Sequence, residues 1–509
     1  MLAAAGATLA AGGPPAVGAA AGTAVRLTAD PGRGALVPAA PWTASFDARL
    51  SGGGALEIDL GAGVRVRLQA APGGRLAVHA GGRATTPEPA AGGAGGTHHV
   101  EVAGGRSPAL SIDGHDVALP PRPATRLLLR GPAPVRDLLI DPRRTPEGLL
   151  LQRVAALHAA TPPGRFPLGT GRDGRLRFER GWTSGFWPGA LWDAAALAPA
   201  HGVFRRWALA ATVANLGWER TPVHDVGFVY GRSSLVAYQR LCGRAGAPAI
   251  CPRLRASVLA AADTLRSLAA TNAAFGSVPT DARGPVAETI IDSLMNLQIL
   301  PWASRQTGRP AYADLARRDA HLLAARMLRP DGAAIQSMLD RRADGAFLGY
   351  HRRQGLTAAS PWARGQGWAL AGFAGLGAEL GDRGLVADAE RVARFVAAHL
   401  PASGIPPWDY AAGPRARPDV SAGAITAFGL LRLAHACRTL AGSCRRPERW
   451  APLGRRMLSA VLARTRRSPP LGFLGGQVLT LGGRTRWDDD AELVLGIDYT
   501  LQALAAAQR

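Results

Sequence analysis

The chain has no lysine. All 59 of its basic residues are arginine, against 37 acidic ones, for a formal net charge of +22 at pH 7. A nucleic-acid surface normally mixes the two cations, since both neutralise phosphate and lysine does so as a simple point charge. An all-arginine surplus in an alanine- and glycine-rich chain reads as compositional bias carried on solvated faces, or as a field that attracts an acidic polysaccharide or another anion. Strongly apolar runs of about 18 residues are also missing, so no stretch stands out as a membrane-spanning helix. Cysteine is scarce, with four in 509 residues and no Cys-x-x-Cys spacing, which removes support for zinc-ribbon and thioredoxin readings. With 47% hydrophobic residues, there is ample material for a large core.

The cysteines fall into two local pairs, Cys242 with Cys251 and Cys437 with Cys444, each flanking a glycine-containing loop beside a helix-like segment. Two short bridges would imply an oxidising compartment, and two pairs of buried thiols are the other reading. Residues 1–23 are Ala/Gly-rich and weakly apolar without a basic start, as in an atypical secretory leader or a disordered tail. Together these features make a secreted or extracytoplasmic location the expectation.

Two patterns divide the rest. Residues 24–142 alternate with period two between glycine-rich breaks, as in ALEIDLGAGVRVRLQA and LSIDGHDVAL, which predicts an antiparallel β-sandwich resembling laminin-G or concanavalin-like modules. Residues 143–509 carry about twelve amphipathic segments at the helical period, one of them read as a single helix over 286–304. An even dozen predicts six helical hairpins, an all-α (α/α)6 toroid following the sandwich. A helical solenoid would need a repeat signature of about 30–45 residues, and none is visible.

Within the helical half, four segments place aromatic, acidic and guanidinium groups near helix ends: GWTSGFWPGALW (181–192), HDVGFVYG (224–231), ETIIDSLMNLQILPWAS (288–304) and PWARGQGW (361–368). Trp182 and Trp187 are candidates for a sugar-stacking wall. Asp225 sits where a helix begins and reads either as an N-cap or as a site carboxylate. Asp292 lies among Ile290, Ile291, Leu294 and Met295, an apolar setting that would raise its pKa toward general-acid values. Arg364, between Trp362 and Trp368, offers a planar fork for a carboxylate, or packs over an indole. No His-Glu-x-x-His run or nucleotide loop is present, so no metal or cofactor is expected.

In order along residues 145–509, these motifs resemble the unsaturated glucuronyl hydrolases, glycoside hydrolase family 88. The resemblance is carried by Trp182-Thr183-Ser184-Gly185-Phe186-Trp187, His224-Asp225-x-Gly227-Phe228, Ile291-Asp292-Ser293-Leu294-Met295-Asn296 and Trp362-Ala363-Arg364-Gly365-Gln366-x-Trp368. It implies an (α/α)6 barrel and hydration of the 4,5-unsaturated uronate that polysaccharide lyases leave at the non-reducing end of oligosaccharides. By the same resemblance, Asp292 is the general acid/base and Asp225 its companion carboxylate. Trp182, Trp187, His224, His321, Gln336, Trp362, Arg364 and Trp368 are the implied substrate-binding positions. The implied partner is an unsaturated uronate-containing oligosaccharide, with neither nucleic acid nor membrane. Gln336 departs from the pattern, since relatives often carry a histidine near this point, and LTAASP (356–361) replaces acidic or hydroxyl residues. Both departures bear on the leaving sugar and on any sulfate preference. An unsaturated rhamnogalacturonyl hydrolase on the same barrel, or a catalytically silent sugar-binding protein, are the competing readings.

Overall fold

The molecule divides into two units, Met1–Pro162 and Pro163–Arg509, twenty residues beyond the change of hydrophobic period at 142. The computed structural model describes eleven strands between residues 25 and 141, then residues 146–170, 175–198, 202–243, 246–464 and 492–508. The expected leader or tail at 1–23 lies outside the described residues.

The first unit holds β1 (Val25–Thr28), β2 (Thr43–Arg49), β3 (Ala55–Gly61), β4 (Val64–Ala71), β5 (Arg75–Ala80), β6 (Arg83–Thr85), β7 (Thr97–Ala103), β8 (Ala109–Ile112), β9 (His115–Val117), β10 (Arg126–Arg130) and β11 (Val135–Asp141). They form two antiparallel sheets, ordered β1-β10-β3-β4-β5-β6 and β11-β2-β7-β8-β9. Alternation sets what is buried: Ile58 pairs with Val66 and Leu68 with Val78, and all four are fully buried. Helix α1 (Pro146–Ala159) belongs to this unit.

The second unit begins with the hairpin β12 (Pro167–Thr170) and β13 (Leu176–Phe178), then α2 (Phe186–Leu197) and α3 (Gly202–Ala214). Next, α4 (Val226–Tyr230) runs through a π-turn at Gly231–Leu235 into α5 (Val236–Leu241), followed by α6 (Cys251–Ala270). After β14 (Val286–Ile290), α7 (Ser293–Asn296), α8 (Ile299–Thr307) and α9 (Ala311–Met327) comes the hairpin β15 (Ser337–Arg341) and β16 (Ala346–Tyr350). The unit ends with α10 (Ala363–Leu380), α11 (Arg383–His399), α12 (Val420–Thr439), α13 (Trp450–Ala463), β17 (Glu492–Leu493) and α14 (Val494–Ala507).

These helices close a ring. The α4–α5 segment packs on α7, α7 on α10, α10 on α12, α12 on α14, α14 on α2, and α2 back on the π-turn. Outside them α3, α6, α9, α11 and α13 cover α2, α4, α8, α10 and α12 in turn. The result is a helical toroid. Among the described residues, α12 is long and apolar enough to cross a membrane, yet most of it is buried, packed on α10, α13 and α14. The ring is fastened by charge as well as packing: Arg232, in the π-turn, donates to both oxygens of Asp498 on α14 (2.9 and 2.6 Å) and to Asp193 on α2 (2.6 Å). Both cysteine pairs are bridged, Cys242–Cys251 across the α5–α6 loop and Cys437–Cys444 from the last turn of α12 to the loop after it.

One element corrects the sequence expectation. Residues 286–304 are not a single helix: Val286–Ile290 is the strand β14, and two short helices follow it. The burial pattern explains this, since Ala287 and Thr289 are buried while Val286 is exposed and Glu288 only partly covered, which is a period of two. Asp292 therefore stands at a strand-to-helix corner rather than on a helix face.

Candidate active site

Asp225 and Asp292 each occupy the residue just before a short helix, where a carboxylate commonly caps the free amides. Neither does so: no side-chain cap bond is made at α4 or α7. Both carboxylates are thus left for other work.

Three links hold the two corners together. Val223 bridges to Asp281, His224 N donates to Thr280 O (3.0 Å), and Thr280 N donates to Glu288 O (2.7 Å), so the Asp225 turn is registered on β14. Asn296, four residues beyond Asp292, accepts from Phe228 N (2.7 Å) and donates to the Asp292 carbonyl (3.4 Å), and its side chain also bonds the Asp225 carboxylate. Finally, Gly227 lies so close to Asn296 that a β-carbon would run into the Asn296 backbone oxygen and Cα. Gly227→Ala is expected to destabilise the protein by about 1–3 kcal/mol through overpacking. It should also cut kcat/KM by about 100-fold, the effect of a displacement near 1 Å in a catalytic constellation. Melting curves and steady-state kinetics on the purified variant check both.

The electrostatics follow from burial. Asp292 is only 8% exposed, and its carboxyl is pushed up to about 7, first by desolvation and further by Asp225, while the Arg353 and Arg364 charges pull the other way. Asp225 is pushed up to about 6, again by burial, offset by Arg353 and by the Asn296 bond. Two such neighbours titrate as a pair, so one proton is retained between them near neutrality. His224 is buried and its pKa is driven down to about 3, leaving a neutral ring. Its Nδ1 is 3.0 Å from Ser293 Oγ and its Nε2 lies 3.3 Å from Asp225 Oδ1, so it positions the aspartate turn.

Asp292 Oδ1 and Gln336 Nε2 are buried without a hydrogen-bond partner. An acceptor and a donor left in that state are costly in a core and are tolerated where a ligand completes them. Gln336 is held in place by accepting Gln354 N (2.8 Å) and Gly355 N (3.2 Å), and its carbonyl receives Ile291 N (2.9 Å), one residue from Asp292. Gln366 secures the same turn by bonding Ala334 N and O (2.7 and 2.8 Å).

Aromatic side chains build one wall and the floor. Trp182 is partly exposed and meets Phe186 and Phe228 at 5.8 and 6.3 Å. Phe228 then meets Trp368 at 5.2 Å, and Trp368 meets Tyr499 at 5.1 Å. Trp187, Trp362 and Trp368 are buried to within 2% and act as framework rather than as an open stacking surface.

Two expected binding residues sit differently. His321 bonds Asp382 at the start of α11 (2.9 Å) rather than Asp225 or Asp292. Arg364, 3% exposed, is committed to buried Asp419 (2.8 Å) and Gln354 (2.7 Å) and lies 4.7 Å over Trp362. Arg353, Glu288 and the role of Asn296 were not read from the sequence. Among the described residues, no three His, Cys, Asp or Glu side chains form a metal-binding group. A groove of about 540 Å³ between α5 and α6, lined in part by Tyr238, Arg255 and Asp263, contains none of the site residues.

No family model matches the chain. Among curated proteins, the unsaturated glucuronyl hydrolase of Bacillus sp. (strain GL1) is 35% identical over 266 residues, covering 50% of this chain and 67% of that protein. The chain belongs to the unsaturated glucuronyl hydrolases. A second member, the unsaturated chondroitin disaccharide hydrolase of Streptococcus pyogenes serotype M1, is 27% identical over 260 residues, 49% of this chain and 62% of that protein. The solved structure of an unsaturated glucuronyl hydrolase specific for heparin superposes with a TM-score of 0.64 at 26% identity, covering 71% of this chain and 95% of that one. The Bacillus sp. GL1 glucuronyl hydrolase structure gives a TM-score of 0.61 at 26% identity over 72% of this chain and 95% of that one. This glucuronyl hydrolase is therefore a glycoside hydrolase on a helical toroid-like fold shared with those enzymes.

Proposed function

We propose that this protein removes the 4,5-unsaturated uronate from the non-reducing end of lyase-generated oligosaccharides by hydrating its C4=C5 vinyl ether. The observation that carries this reading is the pair Asp225 and Asp292 at two interlocked corners, with Asp292 buried, its carboxyl pushed up to about 7 and one oxygen without a partner. Protonated Asp292 gives its proton to C4, and the developing oxocarbenium at C5 takes a water oxygen. The water's proton returns to Asp292, and the hemiketal opens to release the next sugar. Asp225, held by Asn296 and faced by His224, keeps the proton on Asp292 by its charge. Relatives named for glycosaminoglycan-derived substrates, chondroitin disaccharides and heparin, favour that class over pectin fragments.

The test is the fall in ultraviolet absorbance of the conjugated uronate on adding unsaturated disaccharides from chondroitin, hyaluronan, heparin, gellan, ulvan and pectin lyases. Binding without turnover across the whole panel would sink the proposal. The pH profile follows from the raised carboxyl: the proton needed at C4 is present below about 7 and lost above it, so kcat/KM should fall as pH rises through about 7. In Asp225→Asn the neighbouring negative charge is gone, the Asp292 pKa drops, and the basic limb should move to lower pH.

The finer architecture belongs to the same proposal. Six inner segments in a circle, with five outer helices among the described residues, support an (α/α)6 barrel. The two N-terminal sheets would stack as a sandwich, supported by buried Ile58, Val66 and Leu68 on one and Val100 and Ile112 on the other. The paired cysteines support work outside the cytoplasm. Steering of acidic oligosaccharides by the +22 net charge would make kcat/KM fall with ionic strength.

A further inference from the structure

The groove between α5 and α6 takes no part in the chemistry described above. From Cys251 to Asp263, α6 lines it with positions that recur at the helical period, so one face of this outer helix fronts the groove over about 18 Å at 1.5 Å per residue. Tyr238 and Cys242, at the end of α5, form the opposite wall, and the Cys242–Cys251 bridge ties the two walls together. Its volume of about 540 Å³ is that of a small-molecule site.

Gln306, in the last turn of α8, fixes two of the side chains that face this space. Its Oε1 lies 3.4 Å from the Tyr238 hydroxyl and accepts Arg255 Nε (3.3 Å), and its carbonyl accepts Arg255 Nη2 (2.7 Å). Tyr238 also packs edge-on against Trp302, 5.3 Å between centroids, which holds its partly exposed ring in one orientation. Arg220 is exposed, and its side chain has no hydrogen-bond or ion-pair partner among the described residues. The acidic residue in the lining is already engaged: Asp263 accepts the Tyr312 hydroxyl (2.6 Å) and lies 3.7 Å from Arg266. One positioned guanidinium, one free guanidinium and one positioned aromatic ring therefore share an elongated concavity. A small inorganic anion would use one guanidinium and neither the ring nor the length. An acidic sugar chain uses all three, laying a C–H face on the ring and presenting carboxylate or sulfate to the forks.

We propose that this groove is a second, non-catalytic binding site that takes a segment of acidic oligosaccharide through Arg220, Arg255 and Tyr238. The choice of ligand rests on the activity proposed above. The probe is a saturated chondroitin sulfate hexasaccharide released by a hydrolase, which has no unsaturated end to react, titrated calorimetrically into the full chain. The proteins compared are wild type, Arg220→Gln with Arg255→Gln, and Ala256→Trp, which fills the middle of the groove without changing its charge. Both variants are expected to raise the Kd by about 10- to 100-fold, the worth of charge-assisted bonds. Their kcat/KM on unsaturated disaccharides should stay within about twofold of wild type. Equal binding by all three proteins, or no binding by wild type, overturns the inference. A parallel loss of kcat/KM at an unchanged melting temperature also overturns it, because the groove would then belong to the catalytic site. Should the double variant or Ala256→Trp melt early, Arg220→Gln alone carries the test, since that side chain holds nothing in the fold: weaker binding supports the site, and equal binding overturns it. Turnover of unsaturated disaccharides reads the proposed activity separately. Turnover without hexasaccharide binding overturns this inference alone, and groove-dependent binding without turnover supports it while the proposed activity fails.

Discussion

Asp292→Asn should lower kcat by about 1,000-fold or more while leaving KM and the melting temperature near wild type, since positioned acid–base catalysis is typically worth about 10²–10⁴. The two halves of that expectation have one cause. Burial holds the Asp292 carboxyl at about 7, so below neutrality the folded enzyme carries an uncharged group there, for which an amide is a near match in shape and polarity. What the amide lacks is a proton to give C4 and an anion to take one back from water. Single-turnover absorbance decay with an unsaturated disaccharide, beside a thermal melt, checks both parts. An Asp292→Asn protein that retains wild-type kcat would show that the proton comes from elsewhere.

The second large effect is expected at Arg364, and on stability rather than on binding. The guanidinium and Asp419 are 3% and 0% exposed and 2.8 Å apart. Asp419 also caps α12 by accepting Ala422 N (3.1 Å) and takes the Ser421 hydroxyl at 2.5 Å. Arg364→Ala strands that carboxylate without its cation, and breaking a buried pair in this way costs about 3–5 kcal/mol. Changing both partners, Arg364→Met with Asp419→Asn, should recover much of the loss, because the charge is gone and asparagine still caps. Denaturant unfolding of the single and double variants decides it. A single variant of unchanged stability with a sharply raised KM would return Arg364 to the role of carboxylate anchor.

That role was the natural reading of PWARGQGW, and the buried Asp419 beside Arg364 marks where sequence stops informing. Helices α6, α9 and α11 were legible to within a few residues because one apolar face repeats at the helical period. The aspartates were legible because Asp292 interrupts an apolar run and Asp225 precedes a helix. Partnership across the chain was not. Nothing near Arg364 announces that Asp419, 55 residues on, neutralises it, and nothing marks Arg353 among 59 identical cations. Asn296 stood inside a recognised motif, but its joining of two corners depends on Phe228, 68 residues earlier. β14 was misread because its five residues run directly into the helical segments after Asp292, so the short period-two stretch was absorbed into them.

Arg232 carries a consequence for how the chain reaches this state. Its bonds to Asp498 span 266 residues, and α14 is the segment that seats between α12 and α2. During synthesis the earlier helices can pair with their sequence neighbours, but the circle has no closing member until α14 emerges. Until then the facing sides of α2 and α12 lack their shared partner, and Arg232 lacks one of its two counter-charges. Such late, non-local closure favours slow final folding and a long-lived intermediate with exposed apolar surface. A chain cut before Val494 should accumulate in that open form, with Arg232 paired to Asp193 alone at the gap.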